Sequence, residues 1–232
     1  MFPTNDWIRA CLGPGRHPYR GSAMNTVIPI RALGPQHRER VATHLLSLTE
    51  RDRYLRFGYS ASDEQVRRYA ELLDFERDEV FGIFNRRLDL IAMAHVAFAE
   101  SEDYQGCAEF GVSVLASARG RGYGARLFER AVMLARNRGV HLMFIHALTE
   151  NTAMLKIARN AGARIHHDGS ESQAHLQLPP AGLDTRMSEL VAEQFAEVDY
   201  QLKKQARQFW RLLADLQEIR QGVRDGRHQA AE

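Results

Sequence analysis

The sequence is short of cysteine and contains no recognisable pattern of metal ligands. Only two cysteines, Cys11 and Cys107, occur in 232 residues. Two such residues provide neither a disulfide framework nor a thiolate metal site. Ten histidines are present, but no HExxH or paired CxxC motif accompanies them, so no metal is expected. The low cysteine content favours a reducing, cytoplasmic compartment.

The sequence also lacks long apolar runs and any strong excess of charge. No apolar stretch reaches the ~20 residues that a membrane helix needs. The N-terminus contains Asp6, Trp7 and early prolines, and it has no apolar segment typical of a signal peptide. The 31 basic and 29 acidic side chains leave a net charge of +2. This balance requires neither nucleic acid nor a membrane surface as a partner.

Three segments differ in composition. Residues 1–25 contain several prolines and glycines and few apolar residues, which predicts a flexible N-terminal extension. Met24 lies at its end, and the sequence leaves both Met1 and Met24 open as the start of translation. Residues 26–180 mix strand and helix patterns, and we expect them to form one domain. Residues 181–232 are predicted to be a heptad-patterned helix followed by a polar tail.

The periodicity within residues 26–180 predicts seven strands and four helices. The predicted strands are 26–33, 80–85, 88–98, 107–115, 142–148, 164–167 and 174–178. The predicted helices are 35–46, 62–73, 122–138 and 151–161. The strand–helix–strand order over residues 107–148 predicts a parallel crossover.

The C-terminal helix carries an apolar seam. The seam residues are Val191, Phe195, Val198, Leu202, Phe209, Leu212, Leu216, Ile219 and Val223, with Gln205 in the one polar gap. Acidic residues precede basic ones along this helix, which favours antiparallel pairing with a second copy. Trp210 and Leu213 widen the apolar face beyond a two-helix seam. The pattern therefore leaves two arrangements open: a homodimer, or packing of the helix on its own domain.

The strongest local signal is a glycine- and arginine-rich connection between a strand and a helix. Residues 114–125 read VLASARGRGYGA. Glycines allow a ligand to approach the backbone, and the first N–H groups of a helix point outward without intrahelical partners. The helix dipole and the charges of Arg119 and Arg121 add positive potential. Together these features predict a pyrophosphate-binding loop.

Three classes of phosphate-binding loop were compared. A Walker A loop requires GxxxxGK[ST], and no Lys-Ser or Lys-Thr follows these glycines. The dinucleotide pattern GxGxx[GA] fits Gly120, Gly122 and Ala125, but the acidic residue expected ~20 positions later is missing until Glu150. The third class is a loop that binds the pyrophosphate of coenzyme A.

At this loop the sequence resembles the GNAT superfamily of acetyl-CoA-dependent N-acetyltransferases. Its pattern [QR]xxGx[GA] is matched by Arg119, Gly122 and Gly124, and Val114 matches the small apolar residue five positions earlier. A later Asn-initiated helix that ends in glycine is matched by residues 151–162. The resemblance spans roughly residues 26–178. Its pattern is closest to members similar to bacterial protein-lysine acetyltransferases.

The resemblance implies an α+β fold with a mixed, mostly antiparallel sheet flanked by helices, followed by the long C-terminal helix. It also implies acetyl-CoA as co-substrate and a primary amine, either a protein lysine or a small amine, as acceptor. Pantetheine is expected in a cleft between two splayed strands. The implied acetyl-CoA-binding residues are Val112, Ser113, Val114, Arg119, Gly120, Arg121, Gly122, Tyr123, Gly124 and Asn151.

The candidate general base is Glu109, an acid within an otherwise apolar strand. We expect burial to raise its pKa towards a useful range. In the resembling lysine acetyltransferases a Glu on this strand acts as base through water. The alternative role for Glu109 is a structural carboxylate paired with an arginine.

The sequence departs from the family at the general acid. Many members have a tyrosine four residues before the closing glycine of the Asn-initiated helix, where this chain has Ala158. Water, Tyr123 or another tyrosine remain as substitutes. A non-catalytic acyl-CoA-binding regulatory module is therefore the alternative function. Arg53, Tyr54 and Arg56 are further candidates for an acceptor wall, and His146 for the cleft, although core or surface roles are favoured for these four.

Overall fold

The computed structural model describes residues 28–99, 106–169, 171–182, 185–205 and 207. A single seven-stranded sheet forms the centre of the described structure, in the order β1-β2-β3-β4-β5-β7-β6. The strands are β1 (Arg31–Ala32), β2 (Glu79–Phe84), β3 (Leu90–Phe98), β4 (Cys107–Val114), β5 (Leu142–Leu148), β6 (Arg164–Asp168) and β7 (Glu171–Gln177). All neighbouring strands are antiparallel except β4 and β5, which are parallel. The predicted mixed, mostly antiparallel α+β fold is confirmed.

Six α-helices accompany the sheet in the described residues. They are α1 (Arg38–Leu46), α2 (Glu50–Phe57), α3 (Asp63–Leu72), α4 (Tyr123–Asn137), α5 (Thr152–Asn160) and α6 (185–205). Helix α2 was not among the predicted helices, although it starts with a standard cap in which the Thr49 hydroxyl accepts from Asp52 N–H. Strand β1 is shorter than the predicted strand 26–33. Residues 1–27, which include the predicted N-terminal extension, lie outside the described residues.

Alternating side chains of the sheet enter two apolar clusters, one on each face. On β3, Ala92, Ala94 and Val96 pack on the face covered by α4 and α5. Met93 points to the opposite face, where α1 and α3 contribute the other cluster. This alternation is the period-two pattern of a strand buried on both sides. No helix in the described part of the chain is both long and apolar enough to cross a membrane.

Strands β4 and β5 diverge soon after they begin. Their pairing is limited to three residue pairs, from Cys107 opposite Leu142 to Glu109 opposite Phe144. Beyond Glu109, β4 continues to Val114 while it pairs only with β3 on its other side. The divergence opens a wedge between the two strands, and the loop before α4 lies at its end.

Helix α6 folds back onto the domain through a mixed face: Ala196 is buried, and the Tyr200 ring packs edge-on against Phe84 at 5.2 Å. Arg130 of α4 donates to the carboxylate of Glu193 at 2.9 Å, and the Arg31 guanidinium lies 3.8 Å from the ring centroid of Tyr200. The predicted seam faces outward instead. Its described members Val191, Phe195, Val198 and Leu202 are exposed, together with Met187 and Leu190. The remaining seam residues lie outside the described residues.

Candidate active site

The wedge between β4 and β5 forms a cleft of about 900 Å³. It is lined by both diverging strands, by α2, by the loop before α4 and by the start of α5. Of the predicted acetyl-CoA-binding residues, Val112, Ser113, Val114, Arg119, Gly120, Gly122, Tyr123, Gly124 and Asn151 all line this cleft. The predicted residue Arg121 is exposed and lies outside its lining.

The arginine-glycine loop has the backbone geometry of an open anion site. Gly120 and Gly122 both have φ of 75°, a region that other residues rarely adopt. A Cβ at either position would meet no atom within 4 Å, so open space faces both glycines. Gly122 immediately precedes α4, whose first N–H groups therefore point towards the loop. This space and these donors fit a pyrophosphate.

Arg119 forms an ion pair with Asp52 of α2 across the mouth of the cleft. Burial tends to raise the pKa of Asp52, but the bonds from Arg119 and from Thr49 outweigh it and hold that pKa below its ordinary value. The charged pair joins the phosphate-binding loop to the helix on the opposite side of the cleft. A phosphate that binds at this loop has to compete with Asp52 for the guanidinium.

The side chain of Ser113 points away from the cleft into the core. Its hydroxyl bonds to His44 Nε2 at 2.8 Å, and His44 Nδ1 bonds to the Leu90 carbonyl at 2.8 Å. Desolvation by burial lowers the pKa of His44 to about 4, so the ring is neutral at pH 7. The Ser113 side chain is thus occupied with His44, which leaves the backbone of β4 as the part that faces a ligand.

Glu109 lies on β4 at the last residue pair before the strands diverge, and it lines the cleft. Its side chain is exposed. The expected burial of Glu109 is therefore wrong. The carboxylate instead lies at the open, solvent-accessible side of the cleft.

Asn151 and Ala158 lie at the start and near the end of α5. The Asn151 side-chain oxygen accepts from Met154 N–H, and its amide donates to the Leu55 carbonyl at 3.4 Å. Asn151 thus caps α5 and ties it to α2 while it lines the cleft. Ala158 is fully buried in the core. Because its side chain is a methyl group, this position supplies no proton donor to the cleft.

Of the four further candidates named from the sequence, two lie in the cleft and two do not. Arg56 and His146 line the cleft, whereas Arg53 and Tyr54 do not. Arg53 pairs with Asp63 and donates to the Leu46 carbonyl at 2.7 Å, so it holds α2 against its neighbouring segments. Among the described residues, no group of three or more His, Cys, Asp and Glu side chains is arranged to hold a metal ion.

A chain of polar side chains that the sequence does not reveal begins in the cleft. Arg56 donates to the hydroxyl of Tyr69 at 3.0 Å, that hydroxyl bonds to His95 Nδ1 at 2.8 Å, and His95 Nε2 bonds to Asp78 at 2.9 Å. Tyr69 lines the cleft. These residues come from α2, α3, β3 and the position just before β2, so no local pattern in the sequence identifies them.

The chain is similar to known acetyltransferases in sequence family and in fold. The model of the acetyltransferase (GNAT) family matches residues 43–163. The fold resembles the GNAT domain of S. lividans PAT, with a TM-score of 0.55, 21% identity and coverage of 64% of this chain and 89% of that one. It also resembles an acetyltransferase from Acinetobacter baylyi, with a TM-score of 0.56, 16% identity and coverage of 67% and 95%.

A third solved structure contains the co-substrate. This is yncA, an acetyltransferase from Salmonella typhimurium with its cofactor acetyl-CoA, with a TM-score of 0.51, 15% identity and coverage of 68% of this chain and 97% of that one. No match was found among curated proteins. At these identities the solved structures show the fold, while the family model identifies the family.

Proposed function

Because the chain belongs to the GNAT family of acetyl-CoA-dependent N-acetyltransferases, we propose that it acetylates a primary amine, either a protein lysine or a small amine. The observation that carries this proposal is a single cleft lined by both Glu109 and the arginine-glycine loop. The carboxylate of Glu109 lies where β4 and β5 diverge and is open to solvent. A protonated amine is attracted to such a carboxylate.

Acetyl-CoA is expected to lie along the cleft with its pyrophosphate on the loop. Arg119 and the N–H groups at the start of α4 would hold the pyrophosphate. The backbone of Val112–Val114, which lacks a partner strand on the β5 side, would pair with the pantetheine amides. The thioester then lies further along β4, towards Glu109.

The acceptor has to lose a proton before its nitrogen can attack the thioester carbon. We propose that a water molecule takes this proton and passes it to Glu109. An exposed carboxylate suits this role, because water reaches it directly and it returns the proton to solvent after each turnover. Attack then forms the carbon–nitrogen bond, and the carbon–sulfur bond breaks to release coenzyme A.

The test measures acetyl transfer to a panel of lysine peptides and small amines, with coenzyme A release as the readout. Wild-type transfer to at least one amine is expected. Glu109→Gln should lower the rate by about 10²–10⁴ while acetyl-CoA affinity stays unchanged. Glu129→Gln is the matched control, since Glu129 is an exposed acid of α4 outside the cleft. Acetyl-CoA binding without turnover on any amine would instead favour a regulatory acyl-CoA-binding module.

We also propose that α6 pairs with a second copy of the chain in an antiparallel arrangement. Helix α6 contacts its own domain through Ala196, Tyr200 and the Arg130–Glu193 ion pair, and it leaves Val191, Phe195, Val198 and Leu202 exposed. A continuous apolar stripe of this kind is typical of a protein interface. In sequence, acidic residues at 189, 193, 197 and 199 precede basic residues at 203, 204, 207 and 211, so antiparallel copies place opposite charges together.

Light scattering of the full chain at tens of micromolar tests the dimer. The wild type should be dimeric and Phe195→Glu monomeric, because the new carboxylate would lie in the apolar seam. Leu72→Glu is the control, since Leu72 is an exposed apolar residue of α3 outside the seam. A monomeric wild type at this concentration would contradict the pairing.

A further inference from the structure

Tyr69 stands at the cleft end of a hydrogen-bonded chain that leads into the protein. The chain runs from the Tyr69 hydroxyl through both ring nitrogens of His95 to Asp78, over distances of 2.8 and 2.9 Å. Arg77 donates to Asp78 at 2.8 Å, and the Phe98 N–H donates to it at 3.3 Å. The carboxylate at the inner end is thus fixed by donors on several sides.

The protonation state of this chain follows from its partners. Burial tends to raise the pKa of Asp78, but the bonds from Arg77 and His95 outweigh it and keep that pKa below its ordinary value. Desolvation by burial outweighs the Asp78 bond and keeps the pKa of His95 below its ordinary value. At neutral pH Asp78 is therefore ionised and His95 is neutral.

This state determines the direction of each hydrogen bond. An ionised Asp78 accepts only, so His95 Nε2 carries the proton and Nδ1 presents a lone pair. Tyr69 therefore donates its hydroxyl proton to Nδ1. The phenol oxygen accepts from Arg56 at 3.0 Å, and a second lone pair remains for a partner in the cleft. Tyrosine, histidine and aspartate are connected here as nucleophile, base and acid are in a catalytic triad.

The arrangement is located at the reacting end of the cleft. His95 lies opposite Gly111 in the β3–β4 register, and Glu109 lies opposite Ala97, so His95 and Glu109 project from the same face of neighbouring strands. The Arg56 guanidinium lies against Gly111, where a Cβ would stand only 2.5–2.7 Å from its atoms. The absence of a side chain at Gly111 thus makes room for the group that holds Tyr69.

We propose that Tyr69, backed by His95 and Asp78, carries a proton from the acceptor nitrogen to the departing thiolate. This inference rests on the proposed acetyl transfer. Tyr69 would thus protonate the thiolate in place of the tyrosine that many family members have at the position of Ala158. Tyr69 contacts the reacting atoms, whereas His95 and Asp78 act through it.

The proton balance is complete without an external reactant. Glu109, through water, takes the first proton of the ammonium group and releases it to solvent. After attack the nitrogen carries one surplus proton; its N–H bond breaks as a new O–H bond forms on Tyr69, and the original Tyr69 proton moves to His95 Nδ1. The carbon–sulfur bond then breaks with its electron pair on sulfur. His95 returns its proton to Tyr69, and Tyr69 protonates the thiolate, which restores the chain.

Tyr69→Phe removes the hydroxyl and keeps the edge-to-face packing of the ring on Phe57 at 5.3 Å. Its kcat should fall by about tenfold or more, within the range for loss of general acid–base catalysis, while the KM for acetyl-CoA changes less than about twofold. Tyr59→Phe is the matched control, because Tyr59 is an exposed tyrosine outside the cleft lining. Its kcat should equal that of the wild type.

His95→Asn separates a proton relay from simple positioning. The asparagine oxygen can accept the Tyr69 hydrogen bond, but it cannot take up the proton. A relay therefore predicts that this variant loses as much kcat as Tyr69→Phe, and that the double variant loses no more than either single one. Thermal melting confirms that each variant is folded.

Each outcome has a definite meaning. Tyr69→Phe with wild-type kcat would overturn the proposal while wild-type turnover still supports acetyl transfer. Full activity of His95→Asn, or effects that multiply in the double variant, would overturn the relay and leave Tyr69 as an independent group. A wild type that acetylates no amine would overturn the proposed function and the relay with it.

Discussion

Replacing Asp52 by asparagine is expected to strengthen acetyl-CoA binding. The carboxylate of Asp52 pairs with Arg119, the arginine that we propose binds the pyrophosphate. In the wild type, binding therefore replaces an existing ion pair. Asparagine is nearly isosteric and leaves the Thr49 cap intact, since that cap uses the backbone N–H of residue 52. The variant frees the guanidinium and removes a negative charge from the mouth of the cleft.

The size of the effect follows from the exposure of the pair. The Asp52 side chain is 10% exposed, but that of Arg119 is 51% exposed, so solvent screens the interaction. Ion pairs of this kind contribute about 0.2–1 kcal/mol, which corresponds to a Kd about 1.4- to 5-fold lower in the variant. The difference should shrink at high ionic strength, because salt screens charges at an exposed site.

Calorimetric titration with acetyl-CoA at low and high ionic strength measures this change. Asp63→Asn is the matched control: Asp63 pairs with Arg53 on the neighbouring helix and lies outside the cleft lining. Its Kd should equal that of the wild type. An unchanged or higher Kd for Asp52→Asn would show that Asp52 does not compete with the pyrophosphate, and would refute the reasoning.

Three further outcomes are expected. Gly122→Val forces a branched side chain into a positive φ and into the space at the loop, so acetyl-CoA affinity should fall at least about tenfold, or about 1.4 kcal/mol, by calorimetry. His44 has a folded-state pKa of about 4 against 6.5 unfolded, so below pH 6.5 only the unfolded state takes up its proton. Through His44, the free energy of unfolding measured in urea should therefore be about 2–3 kcal/mol lower at pH 4.5 than at pH 7. His44→Gln should lack this contribution to the pH dependence. Arg130→Ala removes the bonds to Glu193 and Glu189, and limited proteolysis should then cleave α6 faster.

Local patterns were sufficient to predict the strand, the glycine-rich loop and the helix around residues 119–124. The alternation along β4, the glycines at 120 and 122 and the amphipathic α4 lie within one continuous stretch, and their order specifies a strand, a loop and a helix. The capped start of α5 at Asn151 is local in the same sense. Each of these features depends on residues within a few positions of one another.

The relay residues could not be found in this way. In sequence His95 is one polar residue within an apolar strand, and a core histidine is the ordinary interpretation of such a position. Its partners Tyr69 and Asp78 are placed by the packing of α3 on the sheet and by the pairing of β2 with β3. Such contacts depend on tertiary structure, which periodicity does not describe.

The exposure of Glu109 and the docking face of α6 were also not determined by local patterns. The burial of Glu109 was inferred from its apolar neighbours in β4, but the exposure of this side chain depends on what packs over that face of the sheet. The sequence left open whether α6 pairs with a second copy or packs on its own domain; α6 does contact its domain, but through Ala196, Tyr200 and Glu193 and not through the heptad seam. Hydrophobic periodicity identifies an apolar face, but it does not weigh such polar contacts.

The short pairing of β4 with β5 also has a mechanical consequence. The sheet consists of two antiparallel blocks, β1–β4 and β5–β7, and three residue pairs join them. Val112–Val114 belong to the first block, and Asn151 and Ile157 follow β5 in the second. A ligand that contacts both sets of residues therefore links the two blocks and restrains their relative movement. Fluctuations that separate the blocks should then become rarer. Amide protons along β5 and the free part of β4 would exchange more slowly with solvent when acetyl-CoA is bound.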